Sequence, residues 1–88
     1  MTRRDALIQA GHALYGATWQ TALARDLGPR HPDGPREKYD DRTLRRWAAG
    51  QRPIPDWVLT ALRDLLAERR QVATALLPVL DALIEEVA

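Results

Sequence analysis

Residues 40–50 read Asp-Asp-Arg-Thr-Leu-Arg-Arg-Trp-Ala-Ala-Gly, and this stretch predicts a short helix over about Asp41–Ala49 with two unlike faces. Asp40 suits the N-cap, where its carboxylate can accept from a free amide of the first turn, and Asp41 suits the positive end of the helix dipole. Leu44, Trp47 and Ala48 share the face expected to turn inward, while Arg42, Arg45, Arg46 and Ala49 point the other way. Gly50 supplies the stop. Three guanidiniums within little more than one turn repel one another unless an anion faces them. Each can donate in pairs to phosphate oxygens or to guanine O6 and N7, and a helix fits the major groove of duplex DNA. The plainer alternative is a solvated basic face, paired in part with Asp40 and Asp41.

Upstream, Trp19–Leu27 is expected to form another helix, with Thr18 as its N-cap and Gly28 as its end. Leu23, Ala24 and Leu27 make its inner face, and the small Ala24 allows the next helix to cross closely. Between the two helices, residues 29–39 hold three prolines and a glycine, which excludes regular helix over most of that span. This loop carries Arg30, His31, Arg36 and Lys38. It is either a second reading device laid along phosphates or in a minor groove, or a tolerated surface insertion, since loop length costs little. Before it, Arg3–Tyr15 reads as a first helix, with Thr2 and Asp5 spaced as a capping box and Gly16 as the stop. Leu7, Gly11 and Leu14 share its inner face, with Ile8 and Tyr15 beside them. Gly11 there either admits close approach by another helix or is merely tolerated.

Taken together, residues 19–28 (Trp-Gln-Thr-Ala-Leu-Ala-Arg-Asp-Leu-Gly) and 40–50 resemble the two motif helices of the phage-repressor-like helix-turn-helix family. The likeness covers residues 18–55 closely and 1–66 loosely. Its elements are Gln at the first helix start, then Leu-Ala and Leu-Gly; a polar cap, Thr, an aliphatic residue, a polar pair, Trp and Gly in the second; and Arg52-Pro53-Ile54-Pro55 after it. The resemblance implies a DNA-binding regulator. It would place Gln20 on phosphate, Arg42, Thr43, Arg45 and Arg46 toward the groove, Gln51 or Arg52 on the backbone, and Leu44 and Trp47 in the core. The departure is the connection: residues 28–40 stand where the family usually has three or four, which puts the docking angle in question.

Downstream, residues 51–54 form a short link, and Pro55 opens a helix running to about Arg70. Val58, Ala61, Leu62, Leu65 and Leu66 are expected inward, with Trp57 partly covered. The last segment, about Thr74–Val87, is strongly apolar. A separate fifth helix capped by Thr74, with Pro78 in its first turn, is expected in preference to a kinked continuation, because first-turn amides need no intrahelical partner. Leu76, Leu80, Leu83, Ile84 and Val87 are the expected homodimer contacts. Pairing is also how helix-turn-helix proteins meet two half-sites of a palindromic operator about one DNA turn apart. The alternative is that the stripe is intramolecular core.

Composition sets the frame for these elements. No window alternates apolar and polar residues over strand length, so the expected class is all-α: a compact four- to five-helix bundle, with residues 1–70 as the DNA-binding unit and 71–88 as the dimerisation element. At 88 residues a chain buries only about 60–65% of its open surface, so stability is thin and a partner subunit helps. Residues 1–52 carry ten Lys/Arg and six Asp/Glu, whereas residues 53–88 carry three and six. That split suits one half facing a polyanion and another with a different task. With no cysteine there is neither a disulfide frame nor a thiolate metal site, and a reducing cytoplasm fits. No leader is expected, because Met1–Asp5 lead into an amphipathic stretch, and no window approaches the roughly 20 apolar residues of a membrane span. An enzyme is not expected, nor a cofactor or metal: His12 and His31 are the only histidines, no glycine-rich phosphate loop is present, and helix capping accounts for Asp40 and Asp41. RNA is a weaker third choice: Trp47 and Trp57 read as buried and Trp19 is ambiguous, so no exposed aromatic platform is expected. The rival is a protein-interaction module, an antitoxin or adaptor whose leucine-rich tail binds another protein.

Overall fold

The computed structural model describes residues 1–87. Ala88, the last residue of the expected tail element, lies outside the described residues. The fold is all-α, with no strand among the described residues: α1 (Arg3–Tyr15), α2 (Trp19–Leu27), α3 (Asp41–Ala48) and α4 (Asp56–Val87). Single 3-10 turns follow α1 and α2, at Gly16–Thr18 and Gly28–Arg30.

The start of α1 is closed by the Thr2–Asp5 capping box, each residue's side chain accepting from the other's amide. Gly16, at φ 80°, lets the chain leave in a left-handed conformation. Gly11 does admit a close approach: a methyl group there would collide with the indole of Trp19, which is buried at the start of α2. Thr18 makes no capping bond, because the 3-10 turn runs straight into α2 and holds Thr18 away from the extended backbone a cap requires. Gly28 ends α2 as expected, but without a positive φ; at φ −52° it continues into the 3-10 turn. Its use is space, since a Cβ there would strike the backbone of Lys38.

A compact bundle of four to five helices is not what forms. α1 packs against α2, α3 and the first third of α4, α2 packs against α3, and the rest of α4 projects alone. The core gathers Leu7, Leu14, Trp19, Leu23, Leu27, Leu44, Trp47, Val58 and Leu62, and it includes Ile54 from the α3–α4 link. The last buried side chain along α4 is Leu65. Leu66, expected inward, is 39% exposed, because it stands about 100° around the helix from Leu65, at the edge of the inward stripe. The final contact of α4 with the body is near Tyr15, whose ring lies under the Arg69 guanidinium at 5.6 Å. Burial, then the hydrogen bond that Tyr15 donates to Asp26, push ionisation of the phenol well above its usual range.

The expected separate fifth helix is also corrected. α4 runs unbroken through Pro78 for 32 residues, so Thr74 caps nothing. Pro78 removes the hydrogen bond that would have ended on the Thr74 carbonyl. That carbonyl belongs to a stretch exposed all round, where water can take the vacated position, and the flanking Ala and Leu residues favour helix. A helix of this length measures about 48 Å, close to the 52 Å long axis of the molecule. The radius of gyration, 15.8 Å, exceeds the roughly 12 Å of a globule this size. No helix among the described residues is long and apolar enough to cross a membrane.

Candidate nucleic-acid interface

α3 is set by its first turn. Asp40, in extended conformation, accepts from the Arg42 amide at 3.0 Å and from the Thr43 hydroxyl at 3.2 Å. The bond from the Arg42 amide is the largest influence on the Asp40 carboxyl; loss of hydration opposes it, and the Thr43 bond and the positive charge of Arg42 and Arg46 add to it, so the group is held below its ordinary range. Asp41 accepts from the Thr21 hydroxyl of α2 at 3.3 Å. Gly50, at φ 76°, follows the last turn. Leu44 and Trp47 are buried, which anchors one side of the helix in the core.

The opposite side is open. Arg42, Arg45 and Arg46 are exposed, and among the described residues none of them forms an ion pair. Thr43 is half-buried and committed to Asp40. Gln20 is half-buried in the first turn of α2. Gln51 and Arg52 are exposed just past α3, where the Gln51 amide donates to the Arg46 carbonyl at 2.8 Å.

The loop of residues 29–39 is folded back on the body. The Arg36 amide donates to the Gly28 carbonyl at 2.9 Å and the Tyr39 amide to the Ala24 carbonyl at 2.7 Å. His31 stacks on Tyr39, Tyr39 stacks on Trp47, and Trp57 meets Tyr39 edge-on, with centroids 5.5–5.6 Å apart. The loop thereby delivers exposed Arg36 and Lys38 to a shallow concavity shared with Tyr39, Asp40 and Thr43, at the start of α3. Arg30 goes elsewhere. It donates twice to Glu68 of α4, at 2.8 and 2.9 Å, so the structure does not bring it to this face.

Two residues that the spacing did not single out hold the far end of α3. Arg4 donates to the Ala48 carbonyl at 2.6 Å, satisfying a last-turn acceptor and placing a cation at the negative end of the dipole. Arg3 donates to the Ile54 carbonyl at 2.9 Å and pairs with Asp56 at 2.6 Å. Their partners are 44 and 51 residues away for the carbonyl bonds, so no local pattern announces them. The only signal is a basic pair opening an otherwise ordinary amphipathic helix.

Compared with known protein families, curated proteins and solved structures, the chain matches none. The site's own chemistry is plain: an anchored helix presents three exposed guanidiniums without an ion pair among the described residues, flanked by Arg36 and Lys38 at one end and Arg52 at the other.

Proposed function

We propose that the protein is a sequence-specific double-stranded DNA-binding transcriptional regulator, a homodimeric repressor of a small operon of phage or mobile-element type. α3 enters the major groove. Arg42, Arg45 and Arg46 read bases or clamp phosphates, Arg36, Lys38, Gln20, Gln51 and Arg52 lie along the backbone, and Leu44 and Trp47 hold the helix in register. The observation that carries the reading is the exposure of those three unpaired arginines on one side of a helix whose other side is locked in the core. Self-repulsion of that kind is relieved by a polyanion. The likeness of residues 18–55 to phage-repressor-like helices supports it independently.

The free half of α4 supports the two-copy assembly. Eight large apolar side chains between Val72 and Val87 are 51–85% exposed, far beyond the scattered apolar surface normal for a monomer. Full burial of each is worth about 1.5–3 kcal/mol. Half of that for eight residues is roughly 6–12 kcal/mol gross, the scale of a micromolar complex at about 8 kcal/mol before ordering costs.

The test is binding to mixed duplex DNA across a salt series, followed by selection of bound duplexes from a random pool. Affinity is expected to fall steeply with salt, since each neutralised phosphate releases counterions, and the selected sequences are expected to be palindromic. Arg45→Ala or Arg46→Ala should remove specific binding and leave the melting temperature nearly unchanged. The same apolar tail also favours a second reading, an antitoxin or adaptor whose partner is another protein. Absence of duplex binding at every salt concentration would select it.

A further inference from the structure

The connection between α2 and α3 is tied down at intervals along its length. Arg30 grips Glu68 of α4 with two hydrogen bonds, at 2.8 and 2.9 Å. The ring of His31 packs against Trp57 of α4 at 5.2 Å as well as on Tyr39, and its Nδ1 accepts from the Asp33 amide at 3.1 Å. The Gly34 amide donates to the His31 carbonyl at 3.1 Å, and the Arg36 and Tyr39 amides return the chain to the Gly28 and Ala24 carbonyls. Lys38 passes so close to Gly28 that a methyl group on the glycine would strike its backbone. An insertion that is merely tolerated needs no such anchoring, because fixing each residue costs backbone entropy, whereas extra length left loose costs little.

Two cations are what the anchoring holds in place. Arg36 and Lys38 are exposed and form no ion pair among the described residues. Both line the concavity at the start of α3. Two residues apart, they stand at most about 7 Å from each other at the backbone. The nearby carboxylates are engaged or lie elsewhere. Asp40 is spent on the Arg42 amide and the Thr43 hydroxyl, Asp33 stands 4.0 Å from His31, and Glu37 does not line the concavity.

We propose that residues 31–39 are a prefolded clamp for the DNA backbone, in which Arg36 and Lys38 each hold one of two neighbouring phosphates of a strand beside the start of α3. This rests on the DNA reading above and adds a division of labour. The α3 arginines choose the sequence, and the loop supplies affinity that is blind to it, since phosphate contacts fix orientation and carry no base information. Little entropy remains to be lost on binding, because the loop is ordered beforehand. The aromatic stack from His31 through Tyr39 to Trp47 joins the loop to α3 side chain to side chain. The clamp thereby sets the angle of α3 in the groove, the point at which the long connection departs from phage-repressor-like helices.

Binding to duplex DNA across a salt series counts these contacts, because each neutralised phosphate adds about 0.9 to the slope of log affinity against log salt. R36Q and K38Q are each expected to flatten the slope by about 0.9, and the double variant by about 1.8. The sequence selected from a random pool should stay that of the wild type. R70Q removes the same charge from a flank of α4 turned away from the body and is expected to leave the slope unchanged. All three side chains are exposed, so the fold tolerates their loss. G28A, whose methyl displaces Lys38, should flatten the slope with every cation still present. A wild-type slope in the double variant overturns the clamp and leaves the reading of α3 intact. Equal flattening by R70Q does the same, by making the effect one of net charge. A changed selected sequence overturns the assignment to phosphate, and a full slope in G28A overturns the prefolded geometry. Absence of duplex binding by the wild type at every salt concentration overturns the clamp and the DNA reading together.

Discussion

In the first third of α4, Val58, Ala61, Leu62 and Leu65 are closed into the core at 8% exposure or less; from Val72 to Val87, large apolar side chains at the same spacing are more than half exposed. One helix thus carries one stripe into two surroundings. Periodicity states which side of a helix avoids water, and it does so equally well in both halves. It does not state what lies opposite. That depends on where the other helices end, and α1 and α2 are too short to reach beyond Tyr15 and Glu68.

The contrast can be broken most severely inside the body. Trp47→Ala removes a large buried side chain that also stacks on Tyr39, and a loss of about 3–5 kcal/mol is expected to unfold so small a domain. Circular dichroism on heating checks this, and a variant that melts normally would mean α3 is not anchored as described. Next in size is a matched pair on α4 itself. Leu62→Ala should cost about 2–5 kcal/mol, whereas Leu80→Ala, measured at a dilution where chains are single, should cost less than about 1 kcal/mol. Equal losses would show that the projecting half packs on its own body after all.

A third change sharpens the boundary between the halves. Pro78→Ala restores a missing hydrogen bond in an exposed helix, worth up to about 3 kcal/mol locally. Amide exchange should slow between residues 74 and 82 while the melting of the body stays put. The smallest effect belongs to the α3 cap. Asp40→Ala should lower the melting temperature slightly, by leaving the Arg42 amide without its capping partner. The Asp40 carboxyl is held below its ordinary value of 3.8 in the folded chain, so its contribution is complete above that value and disappears as pH falls through and below it. Melting in acid should therefore differ less between wild type and Asp40→Ala than melting at neutral pH.

The local devices were legible from the residues: the Thr2–Asp5 box, the Asp40 cap, the inward Leu44 and Trp47, and the limits of α1 and α2. Each is written within a turn or two of chain. What escaped depends on partners far along the sequence or on the balance of two local tendencies. The Arg30–Glu68 pair spans 38 residues, the hold of Arg4 on Ala48 spans 44, and Ile54, in a link between helices, is buried among core residues distant in sequence. Thr74 and Pro78 look like a helix start, but the helical preference on both sides and the access of water to the Thr74 carbonyl decide for continuity. Among the site residues, the arginines of α3 lie together as the spacing implied, and Arg30 does not join them.

Because α4 passes from body to tip without a hinge, it acts as a ruler and a dial at once. In the two-copy assembly, inserting a single residue after Arg70 would swing each α3 by about 100° relative to the paired α4 tips and misalign both. Inserting seven would restore the bearing to within about 20° and move each body outward by about 10 Å, or roughly three base pairs of operator.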